Sequence, residues 1–324
     1  MTPDISRRSF LKTSAVGSVG LLAWGGGAHA RGASTTKLRK AMIRKKPTEA
    51  ELQELKAAGF DGVEGGIVTV EEASECRRIA ERLGMRIHSV LRGWAEFNSD
   101  DPVKVQNSLK VSEDALRVAQ AFGADAMLLV PCRIGGKEMK MPQPWEFEIE
   151  FDEKTGHISR VVAGDNTPYG DYIAAHNKAT DASVANVRKL IPLAKQLKVV
   201  IALENVWNNL WVKPAIFKNF VASFQDEWVK AYFDIGNHLK YQKPEDWIRA
   251  LGPLMAKGHI KDFKLDRAQP NGGKFVHPRD GDINWPEVRK ALDEIGYSGW
   301  LTIEDGGLPS GEFSRRLDLI IAGE

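Results

Sequence analysis

Four short apolar runs in the second half of this 324-residue chain each end in a group able to bind a metal. Val199–Leu203 leads into Glu204 and Asn205, and Val229–Phe233 leads into Asp234, with Asn237 and His238 just beyond. Gly258 and Ile260 flank His259, ahead of Lys261 and Asp262, and Leu301–Ile303 leads into Glu304 and Asp305. Any one of these has an ordinary use, since a carboxylate at a strand end often pairs with Lys or Arg and a single His often sits satisfied at a rim. Four in succession point elsewhere, because carboxylates gathered at close range need a cation to stay ionised together. Three carboxylates and one imidazole, with positions left open, suit Mn²⁺, Mg²⁺ or Co²⁺ better than a closed structural zinc site. Such a centre can make the proton beside a carbonyl acidic, and a carboxylate such as Glu204 can remove it. Return of the proton to the other face gives epimerisation, return to the neighbouring carbon gives isomerisation, and loss of a β-substituent gives elimination.

These side chains converge only if the strands carrying them share an axis. From residue 38 onward, apolar runs alternate with segments of helical period, as in repeated β/α units. Strands are expected at 38–43, 59–64, 85–90, 124–130, 199–204, 229–234, 257–261 and 300–304, and helices at 48–58, 70–83, 102–122, 181–197, 214–224, 244–251 and 285–295. Eight units in one series predict a closed (β/α)8 TIM barrel, whose catalytic side chains emerge at the C-terminal strand ends. No glycine-rich nucleotide-binding motif follows any of these strands. One stretch, 135–175, breaks the rhythm. Alternation over Glu146–Phe151 and His157–Val162, around a turn ending at Gly156, predicts a β-hairpin insertion after the fourth strand: a lid or wall of the site, or else a homo-oligomer contact or solvent-exposed ornament. Glu64 and His88 close the second and third strands and are further pocket candidates. Trp94, Trp207 and Trp211 are placed to stack on the apolar face of a ligand or to pack in the core. Lys261 is placed to neutralise developing charge or to form a rim salt bridge. Cys132 has no base beside it and reads as an unreactive thiol.

Composition narrows the field. An apolar content of 43% excludes disorder, and two cysteines exclude a disulfide scaffold or a Cys-rich zinc module. The first thirty residues carry Arg7, Arg8 and Lys12 against Asp4, which leaves 42 basic and 42 acidic residues beyond them and no basic footprint for nucleic acid. Ser6–Lys12, the short apolar run Ala15–Trp24 and the small-x-small Ala28–Ala30 resemble a twin-arginine signal, cleaved near Ala30. The run is too short and too rich in glycine for stable membrane insertion. The expectation is a single domain over 31–324, passed folded through the twin-arginine export machinery to the periplasm, where phosphorylated metabolites are scarce.

Several motifs together carry a family resemblance. Ala202–Trp207 (ALENVW), Tyr232–Asn237 (YFDIGN), Gly258–Phe263 (GHIKDF), Gly281–Trp285 (GDINW), Gly296–Glu304 (GYSGWLTIE) and, earlier, Gly59–Glu64 (GFDGVE) are similar to the sugar phosphate isomerase/epimerase family of the xylose-isomerase-like TIM-barrel superfamily. The resemblance implies that Glu204, Asp234, His259 and Glu304 ligate one divalent ion, with Glu204 and Glu304 as the acid/base pair on opposite faces of the substrate. Two features depart from the family pattern: relatives commonly carry a substrate-binding His three residues after the metal-binding Asp, where this chain has Asn237 with His238 one step on, and an export signal sits badly with the phosphorylated substrates of many relatives. The expected activity is isomerisation or epimerisation of an unphosphorylated keto-sugar or related polyol. A metal-dependent lyase or hydratase acting on an oxidised sugar or keto-glycoside is the alternative.

Overall fold

Thr48 and Thr69 each cap a helix through a capping box with Glu51 or Glu72, and Asp101 caps a helix opened by Pro102 and stopped by the left-handed Gly123. Those local signals set the rhythm of the computed structural model, which describes residues 36–324 apart from Lys137 and Pro270; the export signal read in residues 1–30 lies outside the described residues. In chain order the elements are β1 (Arg39–Ile43), α1 (Glu49–Ala57), β2 (Gly62–Gly66), α2 (Val70–Arg82), β3 (Arg86–Trp94), α3 (Pro102–Phe122), β4 (Ala126–Val130), β5 (Glu150–Phe151), β6 (Ile158–Arg160) and α4 (Gly170–Leu197). They continue with β7 (Val200–Leu203), α5 (Pro214–Ala222), β8 (Val229–Asp234), α6 (Ile235–His238), α7 (Pro244–Leu251), β9 (Met255–Ile260), β10 (Asp262–Leu265), β11 (Gly273–Val276), α8 (Trp285–Glu294), β12 (Trp300–Ile303) and α9 (Ser310–Ala322). Eight parallel strands close in the order β1-β12-β9-β8-β7-β4-β3-β2, so the predicted (β/α)8 barrel is the fold.

Alternation along each strand divides the core in two. On β4, Met127 and Leu129 join the large cluster under the helices, whereas Ala126, Leu128 and Val130 face the lumen with Ala202 and Tyr232. The rest of the lumen is polar: Glu64, His88, Ser89, Lys257, His259 and Thr302 are all buried. Their presence depends partly on a register shift between Val63 and Glu64, which pairs Val63 with Ile87 but Glu64 with Ser89. The extra residue lets His88 and Ser89, which would face opposite ways on a regular strand, both reach lumen partners.

Three features depart from expectation. Helix α4 begins at Gly170 rather than near 181, because Tyr172, His176 and Ala179 continue its buried face toward the N-terminus. The inserted hairpin is present as the antiparallel pair β5–β6, extended by Glu148 N–H donating to the Val161 carbonyl, but its last residues belong to α4. A second antiparallel hairpin, β10–β11, follows β9 and was not expected. Among the described residues, no helix is long and apolar enough to cross a membrane.

Candidate active site

Strands β7, β8, β9 and β12 are consecutive neighbours around the barrel, so the groups at their C-terminal ends meet. One ligand atom from each of Glu204, Asp234, His259 and Glu304 falls within a cluster no more than 4.8 Å across. The first three residues are buried; the Glu304 side chain keeps 32% exposure and marks the open side. Register sets this depth, since Asp234 pairs with His259 and Thr302 pairs with His259 from the other side.

The cluster fits a divalent cation by two tests. Asp234 Oδ2 and His259 Nδ1 are buried without a hydrogen-bond partner, although Lys261 Nζ lies 3.3 Å from the former and Glu304 Oε2 3.1 Å from the latter. Buried polar atoms left unpaired are costly unless something else satisfies them. Glu204, Asp234 and Glu304 also crowd three carboxyl groups into one cluster, a concentration of oxygen ligands that a divalent ion would satisfy. Titration reflects the crowding. Burial, then Glu304, pushes Glu204 up to about 8, and burial pushes Asp234 up to about 7 although Lys261 opposes it. Burial acts the same way on Glu304, yet His259 and Lys261 outweigh it and hold that carboxyl low. Burial would lower His259, but Glu64 and Glu304 on either side raise it well above its ordinary value.

Lys261 donates to Glu304 Oε2 at 2.9 Å, so it belongs to the site. Its side chain passes where a Cβ on Gly236 would stand, 2.6 Å from Lys261 Cγ, so the glycine of the Asp234–Asn237 run makes room for the lysine. Asn237 also belongs: its side chain donates to Glu204 Oε1 at 3.2 Å and its backbone N–H to Asp234 Oδ1 at 2.7 Å. Trp207 donates to the Asn237 carbonyl and stacks on Phe275 with centroids 4.8 Å apart.

Other candidates lie elsewhere. His238 is fully buried, bonded to the Asp234 carbonyl and to Asn205 Oδ1, and packed on Phe233 and Trp247, so it does not replace the missing histidine. His88 lies down the lumen, stacked on Trp300 and bonded to Thr302, below the ring of ligands. Glu64 is fully buried with both oxygens engaged, by Ser89 and His259, and offers nothing to a substrate. Trp211 is a core residue stacked on Phe220. Trp94 is exposed at the end of β3 with Arg133 over its ring, and does not line the cavity beside Glu304. Cys132 is buried, and burial pushes its thiol up to about 12, in keeping with an inert role.

A cavity of about 490 Å³ opens beside Glu304, lined by Lys261, Phe275, His277 and Asp305 among others. His277 Nδ1 lies 2.7 Å from Asp305 Oδ2. Phe275 and His277 went unnoticed in the sequence; the available signal was a histidine closing the Gly272–His277 stretch just ahead of the Gly281–Trp285 motif. The wall next to Glu304 therefore comes from β10–β11, and the 135–175 insertion contributes none of its lining. The insertion instead covers a separate cavity of about 270 Å³, with Met141, Gln143 and Phe147 facing Lys240 and Tyr241.

A (β/α)8 barrel with an acid-rich cluster at four adjacent strand ends defines a class, and the comparisons agree: the model of the xylose isomerase-like TIM barrel family matches residues 52–315, and the chain belongs to that family. Among solved structures it is similar to a D-tagatose 3-epimerase-like protein (15% identity, TM-score 0.65, covering 87% of this chain and 98% of that one). It is also similar to 3-keto-D-glucoside 4-epimerase from E. coli (13%, 0.64, 88% and 100%) and to an L-ribulose 3-epimerase (14%, 0.60, 88% and 95%). No curated protein sequence matches the chain.

Proposed function

We propose that the chain is a divalent-metal-dependent isomerase or epimerase of an unphosphorylated keto-sugar or related polyol. The observation that carries this reading is the convergence of Glu204, Asp234, His259 and Glu304 within 4.8 Å, with two buried donor atoms left unpaired. These four residues would hold the ion. When bound there, a divalent cation supplies polarisation of a ketone oxygen and compensates the charge that appears as the neighbouring proton leaves. The chain's own groups do the rest. Glu204 on β7 and Glu304 beyond β12 stand three strands apart around the ring, so they flank a substrate from opposite sides, one removing a proton and the other returning it. Lys261 orients Glu304, Asn237 orients Glu204, and Phe275 backed by Trp207 offers an apolar face to a sugar ring. Three structurally similar proteins bear epimerase names, which supports the same class of chemistry. The signal-like residues Ser6–Lys12 and Ala28–Ala30 support a periplasmic location after export.

His277 supports a second reading. Held by Asp305 in the same cavity, it is an additional proton donor placed to assist a leaving group, as a lyase acting on an oxidised sugar or keto-glycoside requires. One experiment separates the two: incubation of the Mn²⁺-loaded protein in deuterated water with a panel of ketoses and keto-glycosides. Carbon-bound deuterium in a product otherwise unchanged in composition supports the isomerase, and an unsaturated or cleaved product supports the lyase. Neither label nor product across the panel would reject both.

A further inference from the structure

Glu64 has no role in the chemistry proposed above, yet it is a fully buried carboxylate, and among the described residues no Lys or Arg pairs with it. Burying such a group is costly unless its oxygens are well used. Ser89 Oγ donates to Glu64 Oε1 at 2.6 Å, and Glu64 Oε2 lies 2.6 Å from His259 Nε2. The opposite nitrogen of the same ring, Nδ1, lies 3.1 Å from Glu304 Oε2 on the side of the ligand cluster and is the one without a hydrogen-bond partner.

An imidazole that ligates a cation must present a lone pair on the ligating nitrogen and carry its proton on the other. Left alone, His259 has a competing arrangement, with the proton on Nδ1 directed at Glu304 Oε2 only 3.1 Å away. That arrangement removes one ligand and occupies a second. A carboxylate at Nε2 favours the proton there and leaves Nδ1 free. The register shift at Val63/Glu64 is what brings Ser89 opposite Glu64, so a backbone irregularity in β2–β3 serves a residue on β9. We infer that Glu64, locked by Ser89, is a positioning residue that fixes the ring orientation and proton location of His259 and thereby sets the affinity of the four-residue site for a divalent ion. It acts from behind the ring and touches neither ion nor substrate. The inference rests on the proposed metal site.

The test uses the full protein with Mn²⁺ for calorimetry and Zn²⁺, a diamagnetic substitute, for nitrogen-15 NMR of labelled histidines. Wild type is compared with Glu64→Ala, Glu64→Gln and Ser89→Ala. Loss of an orienting partner of a metal-bound histidine typically costs about 10- to 100-fold in affinity. Glu64→Ala is expected to lose that much for Mn²⁺, Ser89→Ala several-fold, and Glu64→Gln, which keeps an acceptor oxygen, less than Glu64→Ala. Zn²⁺-loaded wild type should show the His259 proton on Nε2 and a metal-shifted Nδ1, with the histidine signals assigned by a His259→Gln control. Wild-type protein that binds neither ion would defeat the metal site and this inference with it. Tight binding in wild type that Glu64→Ala and Ser89→Ala leave unchanged, or a metal-loaded His259 whose proton is not on Nε2, would overturn this inference alone. Ser89→Ala and the proton location in wild type decide the matter if Glu64→Ala does not fold.

Discussion

Glu204, Asp234 and His259 sit in the barrel mouth almost without exposure, with Glu304 completing this floor at its open edge, whereas Phe275, 41% exposed, lines the cavity beside Glu304 from a hairpin of two four-residue strands. Floor and wall of the same site are held in different ways. Each floor residue is pinned by strand register and by at least one close polar contact. The wall is tied by local polar contacts, of which the densest is at Asp262: it accepts from the backbone N–H groups of Phe263, Arg279 and Ile283 and from Trp285 Nε1, over distances of 2.8 to 3.3 Å, while Asp282 accepts from the Leu265 N–H. Gly281 makes that knot possible, because a Cβ there would stand 2.1 Å from Asp262 Oδ1. A rigid floor with a locally tied wall lets chemistry and substrate choice vary separately, as the loops of barrel enzymes allow.

The largest effect expected from this contrast lies in the floor. On the proposed mechanism, replacing Glu204 or Glu304 by Gln keeps size and one oxygen for the ion but removes a proton carrier, so turnover of the keto-sugar identified by deuterium uptake should fall roughly 10²-fold or more. Metal content, measured on the purified variants, should change much less. Near-normal turnover in both variants would move the proton transfer to other residues and dissolve the distinction between floor and wall.

Cutting the knot comes next. Asp262→Ala leaves several buried donors unpaired, and each unsatisfied group costs about 1 to 3 kcal/mol, with partial relaxation reducing the sum. A loss of about 3 kcal/mol in unfolding free energy is expected from denaturant titration, together with a raised KM from a loosened wall. A stability loss with KM unchanged would show that the hairpin is held by other contacts.

How legible each part was in the sequence follows from the same contrast. The four floor residues close apolar runs that must be buried strands, so their positions and their convergence can be read from periodicity and strand order. The β5–β6 hairpin was also readable, because Phe147, Ile158 and Val161 alternate with polar residues and are buried. In β10–β11, by contrast, Leu265 and Phe275 are exposed, with Lys264 and Lys274 beside them, so no alternation betrays a core-facing side. A hairpin with one aromatic residue, Phe263, buried and the other, Phe275, facing a cavity carries less folding pattern than one that packs on a helix. Glu64 and His88 illustrate a different limit. Both were recognised as strand-end polar groups, but a one-residue register shift decides whether such groups face the pocket or the lumen, and a single sequence contains no sign of it.

A wall residue should give a smaller and different effect. Phe275→Ala removes the ring stacked on Trp207 and beside Lys261 Nζ, 4.8 Å from its centroid. Lost aromatic stacking of about 0.5 to 1.5 kcal/mol predicts a KM increase of roughly 2- to 10-fold, with kcat nearly preserved. A fall in kcat as large as that of the Gln variants would place Phe275 in the floor by function.

The smallest effect is expected where the sequence alone suggested a lid. In the β5–β6 hairpin, Asp152 accepts from the backbone N–H groups of Lys154 and Thr155, both at 2.8 Å, in an exposed turn, while the anchoring side chains Phe147, Ile158 and Val161 lie farther back. Replacing Lys154–Gly156 by a shorter Asn-Gly connection removes the tip and leaves those anchors in place, at a cost of about 1 kcal/mol for the lost turn bonds. Because no residue of the insertion lines the cavity beside Glu304, KM and kcat should stay within about twofold of wild type, well inside the response expected from a single altered contact. Sedimentation of the same variant tests the other use of the segment: a change in mass with unaltered kinetics assigns the tip to an oligomer contact. A KM increase of tenfold would return the insertion to the wall, through the cavity it shares with Lys240, whose ammonium lies 3.5 Å over the Trp207 ring that backs Phe275.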